Sequence, residues 1–466
     1  MLIQLTIQNF LSFRDEVTFS MVGVSSDQQH IDHLAEDAAA KGRSILPIGA
    51  IYGANAAGKS NLLQAISFAK NLVVQGTRSS ETIPVSPFKL GDYSKQPSKF
   101  EFIFTHQGDQ YSYGFKLNRE QIFEEWLYGI PEGKKQEVMY FERVTSSKKE
   151  TTVEYGSKLK GRSKKHQQFL DFIAQGTRPN QLFLTESLER NVVILKPIFD
   201  WFRKVLSIIP AEVDATGLEM GVLSDESFTD FLSEFLKFAG TGIDSIVTEE
   251  VELDFERHLP TLPKVVRDHF IQTLNQAEKN SMAMIQNLGG TTRFLVFKDD
   301  QSQLTLIQLK TRHRSEEGEF IDFSIEEESE GTQRLINLIP TLFILKQEEE
   351  KVIFLDELDR RLHPLLSRIF VQVAINCRDK KNQLIFTTHD TNLLDLDLLR
   401  RDEIWFVEKS EQGASNLYSL AEFKMKPDLK IEKGYLNGRF GAIPFFGNPQ
   451  SLGWLNCETD LSVITK

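Results

Sequence analysis

The sequence predicts an α/β fold that combines a core of buried parallel strands with an antiparallel β-subdomain and a mostly helical insertion. Residues 45–52 and 352–355 are apolar without alternation, which is typical of strands that are buried on both faces of a parallel sheet. Residues 100–104 and 111–115 instead place aromatic side chains at alternate positions on either side of Gly108-Asp109. This pattern favours an antiparallel hairpin with its turn at that dipeptide.

The remaining elements follow from the same periodicity rules. A strand is predicted at residues 2–7, and the strand within residues 45–52 should start after Pro47, because proline cannot donate to a β-ladder. Residues 61–72 have the spacing of a helix, and another helix is predicted after a turn near Gly331. Further strands are predicted at residues 293–297, 304–309, 351–355 and 383–387.

Three regions follow from this pattern. We predict the N-terminal part of the core, with its β-subdomain, in residues 1–157. The mostly helical insertion is predicted in residues 158–290, and the C-terminal part of the core with the tail in residues 291–466. The insertion contains a β-prone stretch near residues 246–253 and no sustained heptads, so we expect no long coiled-coil arm.

The composition is that of a globular protein, with 40% of the 466 residues hydrophobic and a formal net charge of −12. This charge argues against a general attraction to nucleic acid or anionic lipid, so nucleic-acid binding would need a local basic patch. One basic cluster is open to two interpretations, a solvated loop or a nucleic-acid contact. It comprises Lys158, Lys160, Arg162, Lys164, Lys165 and His166.

Cellular location can also be predicted from the composition. The longest apolar run, residues 335–345, is too short to span a bilayer. Only two cysteines are present, and the first residues lack the pattern of a secretory signal. We therefore expect a cytoplasmic protein without a membrane partner.

Residues 53–60 form a glycine-rich loop between a predicted strand and a predicted helix. They read G-x-x-x-x-G-K-S, the pattern of a phosphate-binding loop in the context that such a loop requires. Its backbone N–H groups and the helix N-terminus are suited to phosphates, with Lys59 reaching the β- and γ-phosphates and Ser60 binding Mg²⁺. The predicted nucleotide contacts are Gly53, Asn55, Ala56, Ala57, Gly58, Lys59, Ser60 and Asn61.

Two more buried strands lead to side chains that are suited to phosphate chemistry. The first runs into Asp356, which is predicted to hold Mg²⁺, and Glu357, which is predicted to polarise the attacking water. The second leads to His389, which we expect near the γ-phosphate and the attacking water. Acids or a histidine at a strand end are often merely structural. The phosphate-binding loop elsewhere in the chain favours the catalytic interpretation.

A second helix start precedes the acidic strand and has the pattern S-x-G-x-Q. Ser329, Gly331 and Gln333 supply it, and the serine and glycine are placed to face an anion. Ordinary capping of the helix by Ser329 explains the same residues, and the two roles are compatible.

The order of these motifs resembles that of ABC-type ATPases with a P-loop NTPase core. The resemblance is most specific to stand-alone bacterial AAA-type ATPases related to the OLD (overcoming-lysogenisation-defect) and SMC proteins, and it rests also on residues 9–15, 356–364 and 435–444. It implies ATP and Mg²⁺ as cofactors, hydrolysis of ATP, and a homodimer or higher homo-oligomer with nucleotide between subunits. In such a dimer the S-x-G-x-Q signature of one subunit closes over the ATP of the other, and Asp359 lies near the subunit boundary.

The resemblance leaves several biological roles open. Some relatives serve in anti-phage defence, among them the ATPase subunit of the PARIS system, which implies control of a separate nuclease-like effector protein. The alternatives are an SMC-like DNA-repair or chromosome-maintenance ATPase, and a scaffold stabilised by ATP. The stretch after His389 is shorter than a typical domain of about 100–150 residues, so any nuclease is expected on another chain. Gln107 and Gln110 are candidates for the glutamine loop of this family.

Overall fold

The computed structural model describes residues 1–40, 42–160, 163–212, 218–259, 262–276, 282–286, 293–298, 304–424 and 430–443. Arg162 of the basic cluster and Pro444 of the tail motif lie outside these residues. Packing divides the chain into two compact units. The first unit comprises Met1–Ala211, Glu348–Asp359 and Val371–Lys466, and the second comprises Glu212–Gln347 and Arg360–Phe370. The boundaries drawn from the sequence, after residues 157 and 290, stay a prediction.

The secondary structure alternates strands and helices along most of the chain. The strands are β1 (Leu2–Gln8), β2 (Val17–Ser20), β3 (Ala35–Glu36), β4 (Ser44–Ile45), β5 (Ile48–Tyr52), β6 (Ser98–His106), β7 (Asp109–Leu117), β8 (Ile122–Ile130), β9 (Val138–Thr145), β10 (Thr151–Tyr155), β11 (Leu206–Ile209), β12 (Ile243–Glu252), β13 (Met282–Gln286), β14 (Arg293–Lys298), β15 (Leu304–Arg314), β16 (Phe320–Ser324), β17 (Val352–Leu355), β18 (Gln383–Thr387), β19 (Ile404–Lys409) and β20 (Ser415–Ser419). The helices are α1 (Lys59–Gln75), α2 (Lys164–Gly176), α3 (Phe183–Glu189), α4 (Lys196–Asp200), α5 (Leu218–Ser224), α6 (Glu226–Phe238), α7 (Phe255–His258), α8 (Lys264–Gln276), α9 (Glu330–Lys346), α10 (Pro364–Cys377) and α11 (Ile431–Leu436).

A mostly parallel sheet forms one layer of the first unit, with the strand order β11-β17-β18-β5-β19-β20. Its strands pair in parallel except for β20, which runs antiparallel to β19. Every residue of β5, β17 and β18 is buried, as their continuous apolar or neutral sequences predict. Strand β11 lies in a stretch that the sequence predicts to be mainly helical. A strand of four residues carries too little periodicity to be recognised, and its pairing with β17 decides its structure.

An antiparallel sheet forms the other layer, with the strand order β10-β9-β8-β7-β6-β1-β2. The predicted hairpin is β6-β7, but its turn is centred on Gln107 and Gly108 rather than on Gly108-Asp109. Both central residues have positive φ, 52° and 87°, as a two-residue turn with the mirror-image twist requires. Glycine fits the second of these positions without steric cost. Asp109 pairs with His106 and is the first residue of β7.

Helix α1 is fixed by an apolar cluster that draws residues from both sheets. Leu62 and Ile66 of α1 are fully buried in this cluster. The ring of Phe68 lies 5.4 Å from that of Phe10 and 5.2 Å from that of Phe100 in β6. Because the loop of residues 53–58 joins β5 directly to α1, this packing holds both ends of the loop.

The second unit contains a separate antiparallel sheet of order β12-β15-β14-β13, with β16 paired to the free part of β15. Strand β12 confirms the β-prone stretch that was predicted inside the helical insertion. Helix α6 packs against β12 and α9, where the rings of Phe228 and Phe343 lie 5.0 Å apart. The predicted α/β class, with a mostly parallel sheet, antiparallel sheets and helices, is therefore confirmed.

Candidate nucleotide-binding site

The strand order of the parallel sheet places three sequence motifs side by side. Strands β17, β18 and β5 are consecutive neighbours, and their carboxyl ends point the same way. The 53–60 loop follows β5, Asp356 follows β17, and His389 follows β18 by two residues. In open parallel sheets this edge is where ligands bind. The sheet thus brings the loop of residues 53–60 next to Asp356 and His389, which lie at least 296 positions later in the sequence.

The loop between β5 and α1 is tightly folded against its surroundings. Ala56 and Gly58 have positive φ values of 62° and 123°. A Cβ atom on Gly53 would lie 2.4 Å from the carbonyl oxygen of Val407, so only glycine fits this close backbone approach. Asn55 and Ala56 are exposed at the top of the loop. The predicted phosphate-binding loop therefore has the compact shape and the following helix N-terminus that anion binding needs.

Lys59 is a buried cation at the base of this loop, with 6% of its surface exposed. Its Nζ donates to the carbonyl oxygens of Gly53 at 2.7 Å and Ala54 at 3.3 Å. Burial lowers the pKa of Lys59 to about 8, against the opposing effect of Asp356, Asp359 and Glu357. A polyanion placed beside Nζ would restore the stability of the charged form, as a nucleotide triphosphate would do.

Asp356 and Glu357 leave β17 through a tight turn that is bonded to the neighbouring strand. The Thr387 hydroxyl donates to Asp356 Oδ1 at 2.6 Å, and the Glu357 backbone N–H donates to the same hydroxyl oxygen at 2.8 Å. Glu357 has a φ of 48°, a left-handed conformation that is uncommon for a residue other than glycine. Strained backbone of this kind is found preferentially at functional sites.

His389 and Asp359 complete the group. The His389 backbone N–H lies 3.2 and 3.3 Å from the two carboxylate oxygens of Asp359. The imidazole Nδ1 lies 3.5 Å from Lys59 Nζ. Burial lowers the pKa of His389, and the charge of Lys59 lowers it further. A neutral imidazole beside an ammonium group can accept a hydrogen bond at Nδ1 and leave Nε2 as the donor.

The donor set at the sheet edge fits a magnesium ion. The Ser60 hydroxyl and the Asp356 carboxylate are hard oxygen ligands, and Mg²⁺ commonly takes one or two protein ligands and completes its shell with phosphate and water. Within the described ranges, no group of three or more histidine, cysteine or acidic side chains could hold a metal on its own. Ser60 and Asp356 are the residues that would hold such an ion together with a nucleotide.

Sequence reasoning missed two serines that lie behind the loop. Asn61 Nδ2 donates to Ser12 Oγ at 2.7 Å, and Ser12 Oγ lies 2.8 Å from Ser415 Oγ. Ser415 in turn donates to the carbonyl oxygen of Ala57. A Cβ atom on Gly58 would collide with both serine hydroxyls, at 2.4 and 2.9 Å. Ser12 belongs to a segment that carried the family resemblance, whereas Ser415, in strand β20, had no recognisable signal.

The signature residues belong to the second compact unit. The Ser329 hydroxyl accepts from the Thr332 backbone N–H at 3.2 Å and caps α9, which confirms the capping interpretation. Gln333 Nε2 donates to the Glu328 carbonyl oxygen at 2.8 Å. A Cβ atom on Gly331 would lie 3.0 Å from the carbonyl oxygen of Arg361. The site roles of Ser329, Gly331 and Gln333 stay a prediction.

The candidates for a glutamine loop lie in the β6-β7 hairpin. Gln107 is in the turn, and Gln110 in β7 accepts a hydrogen bond at Oε1 from Arg43 at 2.7 Å. The amide of Gln110 is thus engaged by a neighbour in the first unit, and neither residue gains a clear nucleotide role from its contacts.

Comparison with known families shows the family to which this chain belongs. Residues 48–395, well over half of the chain, match the family described as "AAA domain, putative AbiEii toxin, Type IV TA system". The protein belongs to this AAA family. The matched segment begins at β5 and ends after His389, so it contains the loop, the signature, the acidic pair and the histidine of this AAA protein.

Other comparisons are more distant. A structure described as "Crystal structure of the SmcHead bound to the C-winged helix domain of ScpA" is similar with 14% sequence identity and a TM-score of 0.39, covering 90% of this chain and 97% of that one. The SMC head domain from Thermotoga maritima gives 14% identity and a TM-score of 0.33, covering 90% and 98%. A search of the curated proteins found no match. None of the helices in the described part of this AAA protein has the length and apolar character to cross a membrane.

We expect Ser415→Ala to weaken nucleotide binding to the AAA protein by about two- to tenfold. Ser415 is buried, and losing its hydroxyl removes one hydrogen bond, worth about 0.5–1.5 kcal/mol, from the carbonyl of Ala57 in the loop. The measurement is a titration with a fluorescent ATP analogue. Ser419→Ala on the same strand is the matched control, because Ser419 is also buried but caps Ala421 instead. Equal affinities of the parent and Ser415→Ala would contradict a role for the two serines in shaping the loop.

Proposed function

We propose that the protein is an ATP-dependent switch that closes into a dimer around Mg²⁺-ATP and opens again after hydrolysis. The observation that carries this proposal is the meeting of Lys59, Asp356, Glu357 and His389 at one edge of the parallel sheet. A phosphate-binding loop alone would fit many nucleotide-binding proteins. A carboxylate pair beside the same loop, in a chain of the AAA family, favours hydrolysis of the bound nucleotide.

Each residue has a distinct role in the proposed reaction. The loop N–H groups and Lys59 hold the β- and γ-phosphates, and Ser60 and Asp356 hold Mg²⁺, which neutralises phosphate charge when bound. Glu357 accepts a hydrogen bond from a water molecule and takes its proton as the water oxygen attacks the γ-phosphorus. The bond from that phosphorus to the bridging oxygen of ADP then breaks. His389 donates from Nε2 to the γ-phosphate, which is consistent with its lowered pKa and the Nδ1 contact with Lys59.

The second half of the proposed site comes from another protomer. By resemblance to ABC-type ATPases, Ser329 and Gly331 at the N-terminus of α9 cover the γ-phosphate of the partner's ATP, supported by Gln333. The start of this 17-residue helix has the partial positive charge that such a contact uses. ATP then stabilises the closed dimer, because it binds the closed form more tightly than the open one. Asp359, next to the unit boundary in the sequence, is proposed to lie near the dimer interface.

Glu357→Gln should bind ATP and accumulate as a closed dimer. The amide keeps the size of the side chain but cannot take a proton from water, so we expect turnover to fall about 100-fold or more. Size-exclusion chromatography with light scattering, with and without Mg²⁺-ATP, measures the dimer. Lys59→Ala is the control that should stay monomeric under both conditions. Unchanged turnover in Glu357→Gln would reject the catalytic role of Glu357.

Two inactive variants should restore activity when they are mixed. Lys59→Ala cannot hold phosphate, and Ser329→Arg blocks the signature, so each pure variant lacks both complete sites. A mixed dimer contains one intact site, built from Lys59 of one protomer and Ser329 of the other. If protomers exchange freely, up to about one quarter of parental turnover should return, because half of the dimers are mixed and each has one of two sites. The measurement is ATP turnover as a function of the ratio of the two variants. Absence of any recovery, with exchange confirmed by differently tagged subunits, would show that the signature does not act in trans.

The switch is proposed to control a separate effector protein in a bacterial anti-phage defence system. Two facts support this step: the sequence resemblance to defence ATPases and the toxin–antitoxin description of the family. Co-expression with the proteins encoded beside this chain should give a stoichiometric complex with a nuclease-like partner. The fraction bound should differ between Glu357→Gln and Lys59→Ala in Mg²⁺-ATP. Equal binding of the partner in both states would contradict ATP control. ATP turnover that rises with the length of added duplex DNA alone would favour an SMC-like role instead.

A further inference from the structure

Thr387 occupies a central position among the groups at the sheet edge. It is the last residue of β18 and is fully buried. Its hydroxyl donates to Asp356 Oδ1 at 2.6 Å and accepts from the Glu357 backbone N–H at 2.8 Å. Its carbonyl oxygen accepts from the Leu358 backbone N–H at 3.0 Å. One residue thus bonds to three consecutive residues of the neighbouring strand end.

The direction of these bonds follows from their chemistry. A carboxylate can only accept and a backbone N–H can only donate, so the hydroxyl hydrogen must point to Asp356 and an oxygen lone pair must face Glu357. The short contact to Asp356 is charge-assisted and fixes the carboxylate oxygen that it reaches.

The same residue supports the unusual backbone at Glu357. A φ of 48° carries a steric cost for glutamate, and such a conformation persists only where surrounding contacts hold it. Thr387 accepts hydrogen bonds from the backbone N–H groups of Glu357, through its hydroxyl, and of Leu358, through its carbonyl oxygen. Without the hydroxyl, the backbone N–H of Glu357 would lose this hydrogen bond, and one of the contacts that hold the turn would be absent.

The adjacent threonine contacts different groups. Thr388 is equally buried, but its backbone N–H donates to the carbonyl oxygen of Ile51 in β5 at 3.1 Å. Its hydroxyl accepts from the backbone N–H of Asp390 at 2.9 Å. The contact with the acidic pair therefore belongs to the hydroxyl of Thr387 and is not a general property of a polar strand end.

We propose that Thr387 is a positioning residue that orients Asp356 toward Mg²⁺ and Glu357 toward the attacking water. This inference rests on the proposed ATPase function. Thr387 belongs to β18, which lies between β17 and β5, and it positions the two acids that follow β17. It predicts that the hydroxyl, rather than the volume of the side chain, controls the coupling of nucleotide to metal.

The test compares Thr387→Val, which keeps the shape and removes the hydroxyl, with Thr387→Ser, which keeps the hydroxyl. The full chain is titrated with a fluorescent ATP analogue in EDTA and at increasing Mg²⁺. Loss of an outer-shell partner of a metal ligand typically costs 10–100-fold, so Thr387→Val should need about tenfold or more Mg²⁺ for the same increase in affinity. Its affinity in EDTA should stay within about twofold of the parent, since Lys59 and the loop are unchanged. Thr387→Ser should behave as the parent in both conditions, and turnover should follow the same order.

Thr185→Val is the matched control for losing a buried threonine hydroxyl. Thr185 is buried in the same unit and donates to Val73 at 2.9 Å, at the far end of α1 from the loop. A Thr387→Val protein with parental Mg²⁺ dependence and turnover would overturn the proposal. An equal loss of affinity in EDTA and in Mg²⁺ would also overturn it, because that result indicates a structural role alone. If Thr387→Val does not fold, Thr387→Cys replaces it, and its weaker S–H donor should still raise the Mg²⁺ requirement above that of Thr387→Ser.

Failure of the proposed function gives a different result. A parent protein that binds ATP with Mg²⁺ but never hydrolyses it rejects the ATPase, while the Mg²⁺ titration of Thr387→Val and Thr387→Ser still decides the role of Thr387.

Discussion

The parallel pairing of β17, β18 and β5 is the constraint on which the candidate site depends. Each of these strands delivers one part of the site at its carboxyl end, and the register between them sets how far those parts are from one another. A shift of one strand by one residue would turn every side chain to the opposite face and separate Thr387 from Asp356. Because every residue of the three strands is buried, such a shift would disrupt their packing. The stability of the sheet and the geometry of the site therefore have the same cause.

Electrostatics explains why the site suits a nucleotide with its metal. Lys59 is a buried cation. The carboxylates of Asp356, Asp359 and Glu357 raise its pKa but offset the effect of burial only in part, so the pKa stays below its usual value. Triphosphate adds negative charge beside Lys59 and would repel the same carboxylates. A divalent cation held by Asp356 would supply positive charge that reduces this repulsion. The site is therefore expected to favour nucleotide and metal together over either one alone.

The sequence predicted the parts of this site that are local in the chain. The loop, the acidic pair and the histidine each follow a buried strand, and such a short pattern can be recognised without knowing the fold. Their adjacency came from the strand order of the structure, which places all three at the carboxyl edge of one parallel sheet. Ser415 and Thr387 could not be assigned in this way, because each acts through a hydrogen bond to a residue that is distant in the sequence. Strand β11 was missed for a related reason, since its pairing with β17 and not its own four residues decides its conformation.

The strained turn at Glu357 suggests how binding energy is divided between chemistry and movement. If Asp356 and Glu357 were disordered before ATP arrived, part of the binding free energy would be used to order them. In this structure the turn is already formed, with Thr387 and β18 holding it. The free-energy cost of ordering these two residues is therefore part of the folding of the sheet and not of ATP binding. In the proposed ATP-dependent dimer, a larger share of the affinity for ATP would then be available to distinguish the closed form from the open one. A two-state switch can be shifted only by that difference.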